Sequence, residues 1–254
     1  MDLVRLFALA VLAGAFIALG ALFSTVVTAG GGTAAGVSRL LGGTVFALGL
    51  VLVVVGGAEL FTGNTLVVMA YASRRIRLAR LLRNWGIVYL GNVVGAVSTA
   101  FLVVLSRRLE SGDGSIGIRA LDVARAKTDL HVFDAFVSGI LANTLVCLAV
   151  WMSMSARSVT DKVIAVVPPV AAFVAAGFEH SIANLYFVPV ALFHRLLARD
   201  AFWETTATTS DSYSSITWWR FIEHNLVPVT LGNIVGGAVL VGLTYWFVYL
   251  RTDR

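Results

Sequence analysis

Long apolar runs separated by short polar stretches set the frame of this chain. Runs at 3–24, 43–72, 85–105, 133–154, 163–197 and 226–250 are each long enough to cross a bilayer as a helix, which takes about 20 residues. The pattern predicts an all-α membrane protein with six transmembrane helices, the second and fifth of them broken. In the fifth, the runs Val163 to Ala176 and Leu185 to Leu197 are too short to span alone, and Gly177-Phe178-Glu179-His180-Ser181-Ile182-Ala183-Asn184 lies between them. An acid, an imidazole and an amide therefore fall near mid-membrane. Ionisable groups are costly at that depth and mark a functional site by default. Their plainer role is to hydrogen-bond the backbone that the break exposes.

The second span is interrupted in a related way, by Glu59-Leu60-Phe61-Thr62-Gly63-Asn64, and both breaks read Glu, four residues, Asn. Each is followed by a second shared pattern, Asn84 to Gly95 at the third span and Asn225 to Gly236 at the sixth, with seven of twelve positions identical. The chain thus divides into two repeats, about 1–105 and 133–254, within one transmembrane domain. Three spans per repeat is an odd number, so the second half is inverted relative to the first. Inverted repeats with broken helices meeting at the midplane form transport pathways, with the site at the repeat interface. Unwound backbone at that depth is tolerated only where it is buried in protein or lines a cavity. The two breaks are accordingly expected to face each other across a pore.

Charge orients the spans. Arg74, Arg75, Arg77, Arg80 and Arg83 stand between the second and third spans with no acid among them, which places that segment in the cytoplasm. Both termini then lie inside, in keeping with Arg251, Arg254 and the Arg157 to Lys162 turn. The loops at about 106–131 and 198–224 lie outside, with Trp218 and Trp219 as ordinary residues of the outer interfacial belt. Of the 254 residues 58% are hydrophobic and 13% charged, against about 25% charged in soluble domains. The net charge of +5 reflects basic residues beside apolar spans facing membrane lipid, so it does not argue for nucleic acid. Cys147, the single cysteine, lies in an apolar run and permits no disulfide. The first apolar run exceeds a signal-peptide core and reads as a span, whose Ala and Gly suit close helix packing in lipid.

These residues resemble the formate/nitrite transporter family. The resemblance is carried by Gly57 to Asn64, by the Asn-Trp and Gly-Asn-x-x-Gly elements at 84–95, by Gly139-Ile140-Leu141-Ala142-Asn143, by Gly177 to Asn184 and by Asn225 to Gly236. Within the family the chain is most similar to the formate channels, through Leu145 to Ser153 and Pro228-Val229-Thr230. The resemblance implies an aquaporin-like fold, a homopentamer with one pore per protomer, a place in the cell inner membrane, and passage of small monovalent weak-acid anions, formate and also nitrite, lactate or hydrosulfide. No cofactor is implied. Family members usually carry an N-terminal amphipathic segment proposed to act in pH-dependent gating. This sequence enters its first span almost at once, so it supports no expectation about gating in either direction.

A bare anion crosses a narrow apolar constriction only at a cost of several kcal/mol or more. Polar donors along the path, or a proton taken up by the weak acid, remove that cost. His180 is the only histidine deep in a span and has an ordinary pKa near neutrality. It is expected to meet the anion together with Thr62, acting as a proton relay or as a neutral hydrogen-bond donor. Thr62 offers a hydroxyl on the first break, its plainer role being to cap a half-helix starting near Thr65. By resemblance, Asn143 faces the pore beside His180, with an inter-helix hydrogen bond as the alternative. By resemblance too, the constrictions fall at Phe46, Leu50, Leu60, Val146 and Phe173, and Lys127 is the vestibular lysine that concentrates anions. Glu179 belongs to the pathway if it shares a face with His180, and otherwise joins Glu59, Asn64, Asn184, Asn92 and Asn233 in satisfying the broken backbone.

Two other classes compete. A water or ammonia channel is disfavoured because the breaks lack an Asn-Pro-Ala pair and only one histidine lies mid-span. An intramembrane enzyme is disfavoured because there is no His-Glu-x-x-His motif and no evident partner for Cys147. His131, His194 and His224 are too scattered for a metal site.

Overall fold

A computed structural model describes residues 2–32, 34–111 and 113–251; Arg254 lies outside them. All regular structure among the described residues is helical. The principal elements are α1 (Leu3–Val27), α2 (Ala35–Gly56), the half-helix α3 (61–72), α4 (Leu78–Leu105), α5 (Ser115–Thr128), α6 (Val132–Met154), α7 (Val159–Ala176), α8 (Ser181–Leu197) and α9 (218–250). Six helical stretches are long and apolar enough to span a membrane. The second and fifth spans are broken as expected: α2 and α3 make one, α7 and α8 the other.

Both breaks begin the same way. Gly57 (φ 69°) and Gly177 (φ 77°) end α2 and α7 in the left-handed region, which only glycine adopts at little cost. No atom crowds either Cα, so backbone conformation rather than space requires glycine there. The next residues turn back onto the helix they leave, Ala58 N–H to Val53 O and Phe178 N–H to Phe173 O, both at 3.0 Å.

The halves also pack alike. Helix α1 lies against α2 and α4, and α6 lies against α7 and α9. The Gly-Asn-x-x-Gly elements make these contacts close. A Cβ at Gly95 would collide with Val11 O on α1, and one at Gly236 with Ile140 O on α6. Small residues at such crossings let helix backbones approach in lipid. Gly95→Ala and Gly236→Ala should each destabilise the protein by about 1–3 kcal/mol, measurable as a lowered unfolding midpoint in detergent; equal midpoints would mean that the crossings can open freely.

The second and third spans begin at 35 and 78 rather than 43 and 85, and two further features differ from the sequence pattern. The sixth span begins at 218, not 226, and winds in π-helical turns over Phe221–Leu226 and Val235–Leu243. More consequential is α5, inside the stretch read as an outer loop. Its Ile116, Ala120, Leu121 and Ala124 are buried at helical spacing while Asp122 and Arg125 face outward. This is a short amphipathic helix, too polar to register as a span, lying against α8.

Candidate functional site

The breaks expose backbone N–H and C=O groups, and two asparagines fasten them by equivalent bonds. Asn92 Oδ1 accepts Phe61 N–H (2.8 Å), and its Nδ2 donates to Ala10 O and Glu59 O (2.7 and 2.9 Å). Asn233 Oδ1 accepts Ser181 N–H (2.9 Å), and its Nδ2 donates to Gly139 O and Glu179 O (2.8 and 3.1 Å). Each amide thus joins the first N–H of a half-helix to a carbonyl within the break and to one on α1 or α6. Asn64 and Asn184 donate in turn to the carboxylates of Glu59 (2.6 Å) and Glu179 (2.7 Å).

The symmetry fails at the two acids. Glu179, 5% exposed, accepts from Lys127 Nζ at 2.9 and 3.0 Å and also from Asn184 and Asn225. Lys127 sits in the last turn of α5, which brings it across to the break. Among the described residues Glu59 takes part in no ion pair. Glu179 therefore turns to Lys127 and the surrounding amides, and it does not contact its neighbour His180.

His180 and Thr62 meet where the breaks face each other, His180 Nε2 lying 2.9 Å from Thr62 Oγ1. Both are buried. The other ring nitrogen, Nδ1, accepts Ala183 N–H at 3.1 Å and so caps α8. With Nδ1 accepting, the neutral ring carries its proton on Nε2 and donates to Thr62 Oγ1. The Thr62 hydroxyl hydrogen then remains free. Helix α3 starts at Phe61, and Thr62 caps nothing through its side chain. Asn143 makes the inter-helix bond, donating to Asn233 O (2.6 Å), Thr62 O (3.2 Å) and Thr65 Oγ1 (3.3 Å). It lines none of the spaces described next.

Three spaces with shared walls lie about this point. On the side of the Arg157 to Lys162 turn, a cavity of ≈ 530 Å³ is walled by Leu60, Asn64, Met69, Trp151 and Lys162 among others. On the opposite side, one of ≈ 390 Å³ reaches Phe173 and His180 past Arg39, Arg119 and Lys127. Between them Phe46, Leu50, Leu60, Val146 and Phe173 converge with Ile17, Val170 and His180 on a space that holds no water. All five expected constriction residues thus meet at one place, and Phe173 lies nearly parallel to the His180 ring, 5.9 Å between centroids. Ile17 and Val170 were not singled out in the sequence, since nothing distinguishes them from other apolar residues of their spans. Arg39 and Arg119 were also missed; Arg119 Nε donates to Thr28 Oγ1 at 3.1 Å, a placement that depends on α5.

Six spans, two of them broken at the middle, around a tight apolar waist between two open cavities, define a membrane channel or transporter. A family model described as formate/nitrite transporter matches residues 1–247. The chain belongs to that family. It is 47% identical to the formate channel FocA of Escherichia coli K12 over 98% of this chain and 88% of that one. It is 39% identical to the formate channel FocB of the same strain over 98% and 89%. Among solved structures, a pentameric formate channel with formate bound is similar at a TM-score of 0.94 and 44% identity, covering 98% of both chains. An ion channel of the family follows at 0.82 and 31%, over 96% of this chain and 90% of the other.

Proposed function

We propose that this protein conducts formate and related small monovalent weak-acid anions, nitrite among them, across the cell inner membrane. In this reading it is a homopentamer with one pore per protomer, and its termini and the Arg74 to Arg83 segment are cytoplasmic. The repeats, about 1–105 and 133–254, form one domain around each pore. Support comes from FocA and from the formate-bound pentamer, each similar over nearly the whole chain.

The observation that carries the proposal is the His180–Thr62 contact at the edge of the dry segment. An anion entering that segment leaves water behind and needs donors in its place. His180 Nε2–H and the Thr62 hydroxyl are two donors at one point, supplied by opposite breaks. The anion displaces the bond between them, accepts from both, and passes the waist with its charge shared through those bonds. The arrangement favours the donor role over the relay. A proton added at Nδ1 would face Ala183 N–H, donor against donor, unless that capping bond broke.

Lys127 acts here within an ion pair, and its charge at the mouth is largely offset by Glu179. Arg39 and Arg119 supply the field that draws anions to that mouth. Arg39→Gln combined with Arg119→Gln should lower formate influx several-fold at about 10 mM ionic strength. The deficit should shrink as salt rises and the Debye length falls to about 10 Å near 0.1 M. A deficit that ignores salt would assign the arginines another task.

The test of the function is flux of labelled formate, of nitrite and of water into proteoliposomes at several pH values. Formate flux that saturates, with little water flux, is expected. Water permeation without anion flux would overturn the proposal in favour of a neutral-solute channel.

A further inference from the structure

The sharp turn between α3 and α4 carries the most concentrated charge on the molecule, and the pore makes no use of it. Arg74, with φ 58° in the left-handed region, reverses the chain there. Its N–H donates to Tyr71 O and that of Arg75 to Ala70 O, both at 2.9 Å, while Arg80 N–H donates to Arg77 O at 2.9 Å. The turn lines one open cavity of ≈ 590 Å³ with Arg74, Arg75, Arg77 and Arg80, completed by Tyr71 and Ile76. All four arginines are exposed, and among the described residues none of them is in an ion pair.

We propose that this cavity binds the phosphate of an anionic phospholipid headgroup. Topology selection by positive charge explains why basic residues flank a span on one side. It does not require them to converge on a cavity, as four of the five arginines of the 74–83 segment do. Arginine presents a planar fork that grips phosphate oxygens in pairs, where lysine is a point charge. Four like charges brought together without an acid repel one another, and a bound phosphate relieves that repulsion. The source of the phosphate follows from the flank. Tyr71, on the cavity wall, and Leu78 and Leu82, in the first two turns of α4, are 41%, 47% and 53% exposed. A soluble phosphate has no use for that apolar surface, whereas an acyl chain covers it. Basic pockets at helix ends on the cytoplasmic side suit anionic headgroups in general.

The experiment compares the purified full-length channel with the Arg74→Gln/Arg77→Gln/Arg80→Gln variant in mild detergent, offering phosphatidylglycerol, phosphatidylcholine or inorganic phosphate. Native mass spectrometry is expected to find about one phosphatidylglycerol retained per protomer in the wild type and none in the variant. Phosphatidylglycerol should also raise the wild-type unfolding midpoint, with phosphatidylcholine and inorganic phosphate giving no shift. Should the variant fail to fold, the matching Arg→Lys variant keeps the charge and loses the fork, and its retention is expected to fall below wild type. Phosphatidylcholine retained as well as phosphatidylglycerol, or undiminished retention in the variants, would overturn the site. A shift from inorganic phosphate equal to that from lipid would overturn the lipid as its source. None of these outcomes bears on the pore.

Discussion

His180→Phe should lower formate flux in proteoliposomes by about one to two orders of magnitude while leaving the protein folded. Phenylalanine keeps the ring against Phe173 but removes the Nε2–H donor to Thr62 and to a passing anion. A hydrogen bond to a charged group contributes about 1.5–3 kcal/mol, and about 1.4 kcal/mol is a factor of ten in rate. The Nδ1 cap on Ala183 N–H is lost as well, worth about 1 kcal/mol of stability. His180→Asn distinguishes the two roles of the ring. Its side-chain amide can donate without titrating, so the donor mechanism predicts that it retains part of the flux with a pH profile set by the substrate alone. A relay predicts that His180→Asn is as inactive as His180→Phe. Flux unchanged by either substitution would remove His180 from the pathway.

The second large effect is on stability. Lys127→Met leaves Glu179 with its two amide donors and no cation. The side chains of the pair are 15% and 6% exposed, and removing one partner of a buried pair costs about 3–5 kcal/mol. Because Asn184 and Asn225 still donate to Glu179, a loss near the lower end, about 3 kcal/mol, is expected in detergent unfolding. Lys127→Met combined with Glu179→Gln should recover most of it, since glutamine's oxygen still accepts from both amides and leaves no buried charge. A single variant as stable as wild type would show that the ion pair carries no net weight.

Hydropathy and the two Glu-x4-Asn breaks made the membrane architecture legible, because span length and the cost of unpaired backbone in lipid leave few alternatives. The Gly-Asn-x-x-Gly repeat pointed to the right residues; their hydrogen bonds, from Asn92 to Phe61 and from Asn233 to Ser181, needed coordinates. What sequence could not give was whatever depends on which way a side chain turns. Glu179 and His180 are adjacent yet point apart, one to Lys127 and the other to Thr62. For Asn143 the sequence left both a pore-facing place, implied by resemblance, and an inter-helix bond open, and the structure shows it bonded to Asn233 O and Thr62 O. Helix α5 was hidden because four of its fourteen residues are charged, and with it went the reason Lys127 and Arg119 reach the mouth at all.

The unequal acids bear on the rates of entry from the two faces, not on the direction of net flux. One doorway holds a carboxylate locked to a lysine, the other a carboxylate with only an amide for company. In the proposed conduit such lopsidedness would let the solute concentration that half-saturates entry differ between its two faces. Microscopic reversibility still obliges any purely passive conduit to equilibrate its solute, so the uneven doorways govern how fast each compartment empties, and the gradient alone decides where the anion ends up.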